Sequence, residues 1–449
     1  MSRLLHKSVN GTPVKVVGGH GIYLCTADGR ELVDTASGVA VSCLGHGHPN
    51  VVAAIKAQAD VLSYAHAGSF TTDVAEELGD FLVSRSPGQD CAYFLSGGSE
   101  TMELCLKTAY QYHVERGHPE RIRFVSRRQN YHGSTLGTLA VTGNPQRRSV
   151  FDPILAPSSF VSPCYAYRGM LPGEDERAYG ERLAHELEDA IVRLGPETVA
   201  GFVAETVVGS TSGAVPPVEG YLRAVREVCD RYGALLILDE VMAGMGRTGH
   251  LFACAEDGVE PDIIAIGKGL AAGYQPLSAM LVSRRVRDAI ASGSGVLRNG
   301  QTFVNHPLAC AAGLAVQRTI EEDHLLDNVL ARGEQLRTRL RAELAEHPYV
   351  GDIRGRGLFV GVELVADRVT KEPLPVEPDP AAAIRELALA QGLVTYPMTG
   401  TIDGAQGAHV LLAPPYICTE DDIERIVEGL AAAMRGLLPT ARRDLATAR

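Results

Sequence analysis

Five near-continuous apolar runs, "CAYFL", "RIRFVS", "AGFVAE", "ALLILDE" and "PDIIAIG", recur between residues 91 and 267. Helix-period segments separate them. A strand apolar at both odd and even positions must be covered on both faces, which is the environment of a parallel sheet between helix layers. The segments between the runs supply that cover: one places Met102, Cys105, Leu106, Ala109 and Tyr110 at helical spacing, and another reads "GYLRAVREVCDRYG". The expected fold class is therefore α/β, with a large domain over residues 56–320 whose mostly parallel sheet is flanked by helices.

The flanking segments follow other patterns. "GIYLCTADGRELVDTASG" alternates short β-type runs around an Asp28-Gly29 turn, so residues 1–55 should hold a small antiparallel meander. After residue 320 come a long charged helix, the strands "DIRG", "GLFVGVELV" and "HVLLAP", and helices at Ala381–Gln391 and Glu420–Met434. Residues 321–449 should form a smaller α+β domain that the N-terminal meander packs against.

Bulk properties narrow the function. With 42 basic against 54 acidic residues the chain carries −12, and no Lys/Arg-rich run interrupts it, which argues against nucleic acid or an anionic membrane as partner. Nine cysteines without a CxxC pair, in a chain long enough to need no staples, read as reduced thiols in a cytoplasm. The N-terminal "MSRLLHKSVNG" lacks an apolar signal core, and no run reaches the length of a membrane span. His46, His48 and His132 have no third ligand spaced near them, so no metal site is expected and these rings should satisfy local backbone groups.

In parallel α/β sheets ligands gather at the carboxyl ends of the strands. There, "YFL" is followed by Ser96, Gly97, Gly98, Ser99 and Glu100 at the head of a helix, whose free N–H groups suit a phosphate, although Ser99 alone also reads as a helix cap. Glu205 ends one run, Asp239 ends another, and Lys268 leaves a third between Gly267 and Gly269. A phosphate cradle, a strand-end acid and a lysine in a glycine setting match pyridoxal 5′-phosphate, which needs an anchor, a partner for its pyridine nitrogen and an amine for its Schiff base.

The ordered motifs "GHGHP", "SGGSE", "YHG", "LLILDEVMAGMGRTG", "PDIIAIGKGLAAGYQPLSAML", "GQTFVNHPLACAAGLA", "IRGRGLFVGVEL" and "LLAPPYI" resemble those of the class III aminotransferases, of the fold type I PLP enzymes, from Gly21 to Met434. The resemblance implies that Lys268 is the Schiff-base lysine and proton shuttle, and that Asp239 pairs with the pyridine nitrogen. Glu205 is implied to sit beside the cofactor in a hydrogen-bond network near its O3′ and the substrate. Val241 and Tyr131 should cover the two ring faces, with His132 alongside, and Gly98 and Ser99 should hold the phosphate. Thr302 is implied to reach that phosphate from a neighbouring subunit, which makes the active site an interface of a homodimer. The implied reaction is ping-pong transfer of an amino group from an amine or amino acid to a keto acid, aldehyde or ketone. A racemase, epimerase or aminomutase of the same family is the alternative.

Departures bear on substrate. Met242 stands where many members carry a glutamine, and Thr206 where a proline is common. Leu411 takes the place of an arginine found in glutamate-binding relatives, and "GLVTYPM" holds no counterpart of the mobile arginine of other relatives. Arg168, in "VSPCYAYRGMLPGED", is the candidate carboxylate anchor. Small residues at Gly38–Ala40 replace a tryptophan of some relatives, and Ala40 there suggests room for a bulkier substrate.

Overall fold

The computed structural model describes residues 3–9, 11 and 13–447, the stretch 438–447 by its backbone alone. The outermost residues of the expected terminal segments, 1–2 and 448–449, lie outside the described residues. Strands β1 (Val16–His20), β2 (Tyr23–Thr26) and β3 (Glu31–Asp34) form the expected antiparallel meander. Seven strands follow: β4 (Gln89–Leu95), β5 (Arg123–Arg127), β6 (Ser159–Val161), β7 (Val199–Glu205), β8 (Leu235–Asp239), β9 (Ile263–Ile266) and β10 (Ser278–Ser283). The last five are β11 (Val350–Arg356), β12 (Phe359–Leu364), β13 (Leu393–Val394), β14 (Tyr396–Thr399) and β15 (Ala408–Leu412).

The large sheet has the order β4-β10-β9-β8-β7-β5-β6. Strands β6, β5, β7, β8 and β9 are mutually parallel, and β10 is antiparallel to both β9 and β4. Strands β7, β8 and β9 are buried at every position, as their unbroken apolar runs require. Each fully buried Val, Ile or Leu there stabilises the fold by about 1.5–3 kcal/mol. The helix Gly98–Glu115 buries Met102, Cys105, Leu106 and Ala109. Tyr110, expected on that face, is exposed, and Tyr112 is buried instead because the helix packs against β9 and β10 on one side and the helix Arg284–Ser292 on another.

A four-stranded antiparallel sheet, β11-β12-β15-β14, stands apart, while β13 pairs in parallel with β3 through Leu393 and Val33. The meander is thereby joined to a strand nearly 360 residues later, a link that Thr35 Oγ1 reinforces by donating to the Val394 carbonyl at 2.8 Å. All nine cysteines are unpaired, and none of the described helices is long and apolar enough to cross a membrane.

The "GHGHP" turn shows why its first glycine is needed. Gly45 has φ +64, and an added Cβ would collide with the Gly21 carbonyl, which accepts from the His46 N–H at 2.8 Å. Gly45→Ala therefore breaks the bridge between the meander and the helix Pro49–Val61 and should cost about 2–4 kcal/mol, read as a lowered midpoint in denaturant unfolding.

Candidate active site

Strand register assembles the site. In the β7–β8 ladder Glu205 lies opposite Asp239, and in the β8–β9 ladder Asp239 lies opposite Ala265, three residues before Lys268. Because these strands run the same way, the two carboxylates and the lysine share one sheet edge. Lys268 opens a short 3₁₀ turn with φ +43, a left-handed conformation that costs about 1–3 kcal/mol in a side-chain-bearing residue. Its amine makes no hydrogen bond among the described residues. Burial lowers its pKa below that of an ordinary lysine, and the charges of Asp239 and Glu205 oppose the shift.

Both oxygens of Asp239 accept hydrogen bonds, Oδ1 from the Val241 N–H at 3.0 Å and Oδ2 from His132 Nδ1 at 2.9 Å. The ring's tautomer follows from its other neighbour. Asn130 Oδ1 accepts the Gly143 N–H, so its amide nitrogen faces Ser126 Oγ and, at 2.7 Å, His132 Nε2. With Nε2 accepting, Nδ1 carries the proton and donates to Asp239. The histidine expected to satisfy local backbone groups instead spends its ring on a carboxylate and an amide, and only its main-chain N–H bonds locally, to Thr142 Oγ1 at 3.0 Å. His46 likewise points its Nε2 toward Asp34 Oδ2 at 3.7 Å. Glu205 is buried, which pushes its carboxyl pKa up, and its two oxygens accept the main-chain N–H groups of Tyr131 at 3.0 Å and Gly209 at 2.8 Å.

Beyond β4, Gly97 precedes the helix Gly98–Glu115 without any side-chain cap, so Ser99 sits in the first turn and is not the cap. The first intrahelical bond runs from Thr101 N to Gly97 O at 3.0 Å, which leaves the N–H groups of Gly98, Ser99 and Glu100 free for an anion. Ser99 Oγ accepts from Ser134 N at 3.1 Å. The walls are close: a Cβ on Gly98 would lie 2.8 Å from Val241 Cγ1, and one on Gly133 would lie 2.9 Å from Ser99 Oγ. Between them opens a cavity of about 430 Å³, lined by residues that include Gly98, Ser99, Tyr131, Glu205, Val241 and Lys268.

The chain matches the family model described as aminotransferase class-III over residues 5–434. It belongs to the class III aminotransferases. An uncharacterised aminotransferase of Schizosaccharomyces pombe is 43% identical over 430 residues, covering 95% of this chain and 94% of that one. A hypotaurine/taurine–pyruvate aminotransferase of Paracoccus denitrificans is 35% identical, covering 94% and 91%. Among solved structures, the ω-transaminase of Pseudomonas jessenii in complex with PMP aligns with a TM-score of 0.89 at 33% identity, covering 94% of this chain and 92% of that one. Class III aminotransferases depend on pyridoxal phosphate, and the residues here fit it: free helix N–H groups for its phosphate, a buried acid, a lysine without a partner, and glycines where any side chain would fill the cradle.

Other expected positions fall elsewhere in this aminotransferase. Thr302 is exposed on the turn before the helix Pro307–Glu322, where its carbonyl accepts from Tyr64 Oη at 3.0 Å, and it does not line the cavity of its own chain. Arg168 is also outside the cavity. Its Nε donates to the buried Glu363 at 2.6 Å and its Nη1 to the Lys371 carbonyl at 2.9 Å, so the proposed anchor is already engaged. Ala40 is buried with φ +56 in an apolar cluster with Val207, Met242, Phe359 and Leu411, one residue before the cavity-lining Val41. The small-residue segment thus forms a wall behind the pocket. Sequence reading missed Asn130, which fixes the His132 ring, and the lining residues Ser210 and Gln275. Only the sequence position of Asn130, directly before "YHG", hinted at it. Outside this site His20, Cys25 and Glu31 place their polar atoms within 4.8 Å of one another on the exposed meander, where His20 Nε2 already bonds Glu31 at 3.1 Å.

Proposed function

We propose that this aminotransferase moves an amino group from an amine or amino-acid donor to a keto acid, aldehyde or ketone in two half-reactions, with Lys268 as the lysine that carries the cofactor. The observation that carries the reading is the β7–β8–β9 register, which sets Glu205 beside Asp239 and both on the edge from which Lys268 emerges. When bound, pyridoxal phosphate supplies an electron sink that acidifies the hydrogen on the amine-bearing carbon. The chain's own groups do the rest. Lys268, its pKa lowered by burial, takes that proton and returns it at a neighbouring carbon. Asp239 holds the pyridine nitrogen, and His132 holds Asp239 from behind. Gly98 and Ser99 bind the phosphate through main-chain N–H groups, joined by Thr302 of a neighbouring subunit in a homodimer. Val241 and Tyr131 enclose the ring and keep water out. The donor of the Paracoccus denitrificans relative supports small amines among the substrates here, and the unpaired thiols support a cytoplasmic enzyme.

The test is the absorbance of the holoenzyme mixed with single donors in the absence of acceptor. Stoichiometric conversion of the bound cofactor to its amine form, reversed by pyruvate, is the expected result. Loss of a labelled Cα hydrogen to solvent without any net conversion would replace the proposal with a racemase, epimerase or aminomutase.

Glu205 gives a second check. Its negative charge holds the Lys268 pKa up against desolvation, so removing the charge must let the pKa fall further. In cofactor-stripped Glu205→Gln protein the pH midpoint for amine-specific labelling of Lys268 should move down. An upward or absent shift contradicts the electrostatic coupling.

A further inference from the structure

We propose that Arg147 recognises the acidic end of an ω-amino acid donor, a carboxylate or sulfonate set two or more carbons from the reacting amine. The proposal rests on the reading of the Lys268 cavity as the reaction site.

Among the residues lining the cavity the one amine or guanidinium is Lys268, which is occupied by the reaction itself. Arginines packed behind the site are engaged: Arg127 donates to the Glu205 carbonyl, Arg247 to the carbonyls of Leu358 and Pro414 at 3.1 and 2.6 Å, and Arg354 to Glu363 at 2.6 Å. Arg147 differs. It is half-buried with its guanidinium carbon 5.4 Å from the centroid of the Tyr131 ring, and that tyrosine lines the cavity. Its guanidinium makes no hydrogen bond or ion pair among the described residues, whereas the adjacent Arg148 pairs with Asp152 at 2.7 Å and with two carbonyls.

The surroundings hold this cation in place without neutralising it. Arg147 lies in the turn Pro145–Arg148, whose start is fixed by Asn144 Oδ1 accepting the Arg147 N–H at 3.2 Å. Asn144 Nδ2 donates to Gln129 Oε1 at 2.7 Å, and Gln129 Nε2 to the Gly400 carbonyl at 2.9 Å, which ties the turn to the loop Gly400–Gly407. That loop is in contact range, since a Cβ on Gly404 would lie 2.8 Å from Pro145 Cδ. Its one acid, Asp403, spends its carboxylate on the N–H groups of Ala405 and Gln406 at 2.8 and 2.7 Å.

A guanidinium resting over an aromatic ring keeps its planar fork of donors available, a geometry matched to a carboxylate or sulfonate. Tyr131 both lines the cavity and lies under this fork, so the guanidinium is one ring's breadth from the cavity wall. An α-carboxylate, one bond from the reacting carbon, falls short of such a fork, whereas an acid at the far end of a short chain gains the reach toward it. The donor's acid group thereby selects itself by length.

The experiment measures donor kcat/KM in the half-reaction for wild type, Arg147→Gln and Arg147→Lys holoenzymes, with β-alanine, taurine and propylamine. The expected result is a wild-type preference for at least one anionic donor. In Arg147→Gln the ratio of anionic to neutral kcat/KM should fall about 10- to 100-fold, with partial recovery in Arg147→Lys. A fall confined to β-alanine assigns a carboxylate, and one confined to taurine a sulfonate. Equal losses on all three donors would make Arg147 a mere support for Tyr131 and overturn the proposal, as would a wild-type enzyme with no anionic preference. A wild type that converts none of the three while L-alanine does convert it also overturns this proposal, and leaves the aminotransferase reading intact.

Discussion

A Lys268→Ala enzyme should fold and lose turnover by at least about 10³-fold, the scale of a lost nucleophile and proton carrier combined. Folding should survive because the amine has no hydrogen bond to lose and because its burial is itself unfavourable, as the lowered pKa records. The strained φ of +43 is no worse for alanine than for lysine. The thermal transition should therefore stay within a few degrees while kcat/KM collapses, and added small primary amines should restore part of the activity by supplying the missing proton acceptor. Normal turnover in this variant would end the assignment of Lys268.

Asp239→Asn should be the next most damaging change, with a loss of roughly 10²- to 10⁴-fold. Both oxygens of Asp239 accept, one from the Val241 N–H and one from His132 Nδ1. An amide offers one acceptor and one N–H group, so it must set N–H against N–H on one side, a mismatch worth about 1–3 kcal/mol. It also cannot supply the negative charge that keeps a pyridine nitrogen protonated. The cofactor should remain bound through the Gly98–Ser99 cradle, so cofactor content and kcat/KM separate the two roles. A variant with full activity would remove Asp239 from the mechanism.

These predictions could be framed from sequence because the residues concerned sit at the ends of apolar runs. "AGFVAE", "ALLILDE" and "PDIIAIG" are legible as buried parallel strands, and parallel strands joined by crossovers have to deliver their last residues to a common edge. Strand β10 was harder to read. "SAMLVS" is as apolar as its neighbours, but nothing in its composition announces that it runs antiparallel between β9 and β4. Strands β13 and β14 carry short, mixed residues whose pairing partners lie far away in the chain.

The site divides along the same line. Lys268, Asp239, Glu205 and the Gly98–Ser99 turn were available to sequence reading because each is placed by its own strand. Arg168 was misplaced because an arginine in a Tyr/Pro-rich loop looks free until Glu363, almost two hundred residues on, is seen beside it. The tautomer of His132 depends on Asn130 and Gly143, and the freedom of Arg147 depends on Asp403 being engaged elsewhere. The sequence by itself determined the fold class, the cofactor and the residues at the strand ends, since hydrophobic periodicity and the ordered motifs are local properties. Only the tertiary structure decided which charged side chains are neutralised and which remain available, because the partner of a buried charge is set by packing between segments that the chain order does not bring together.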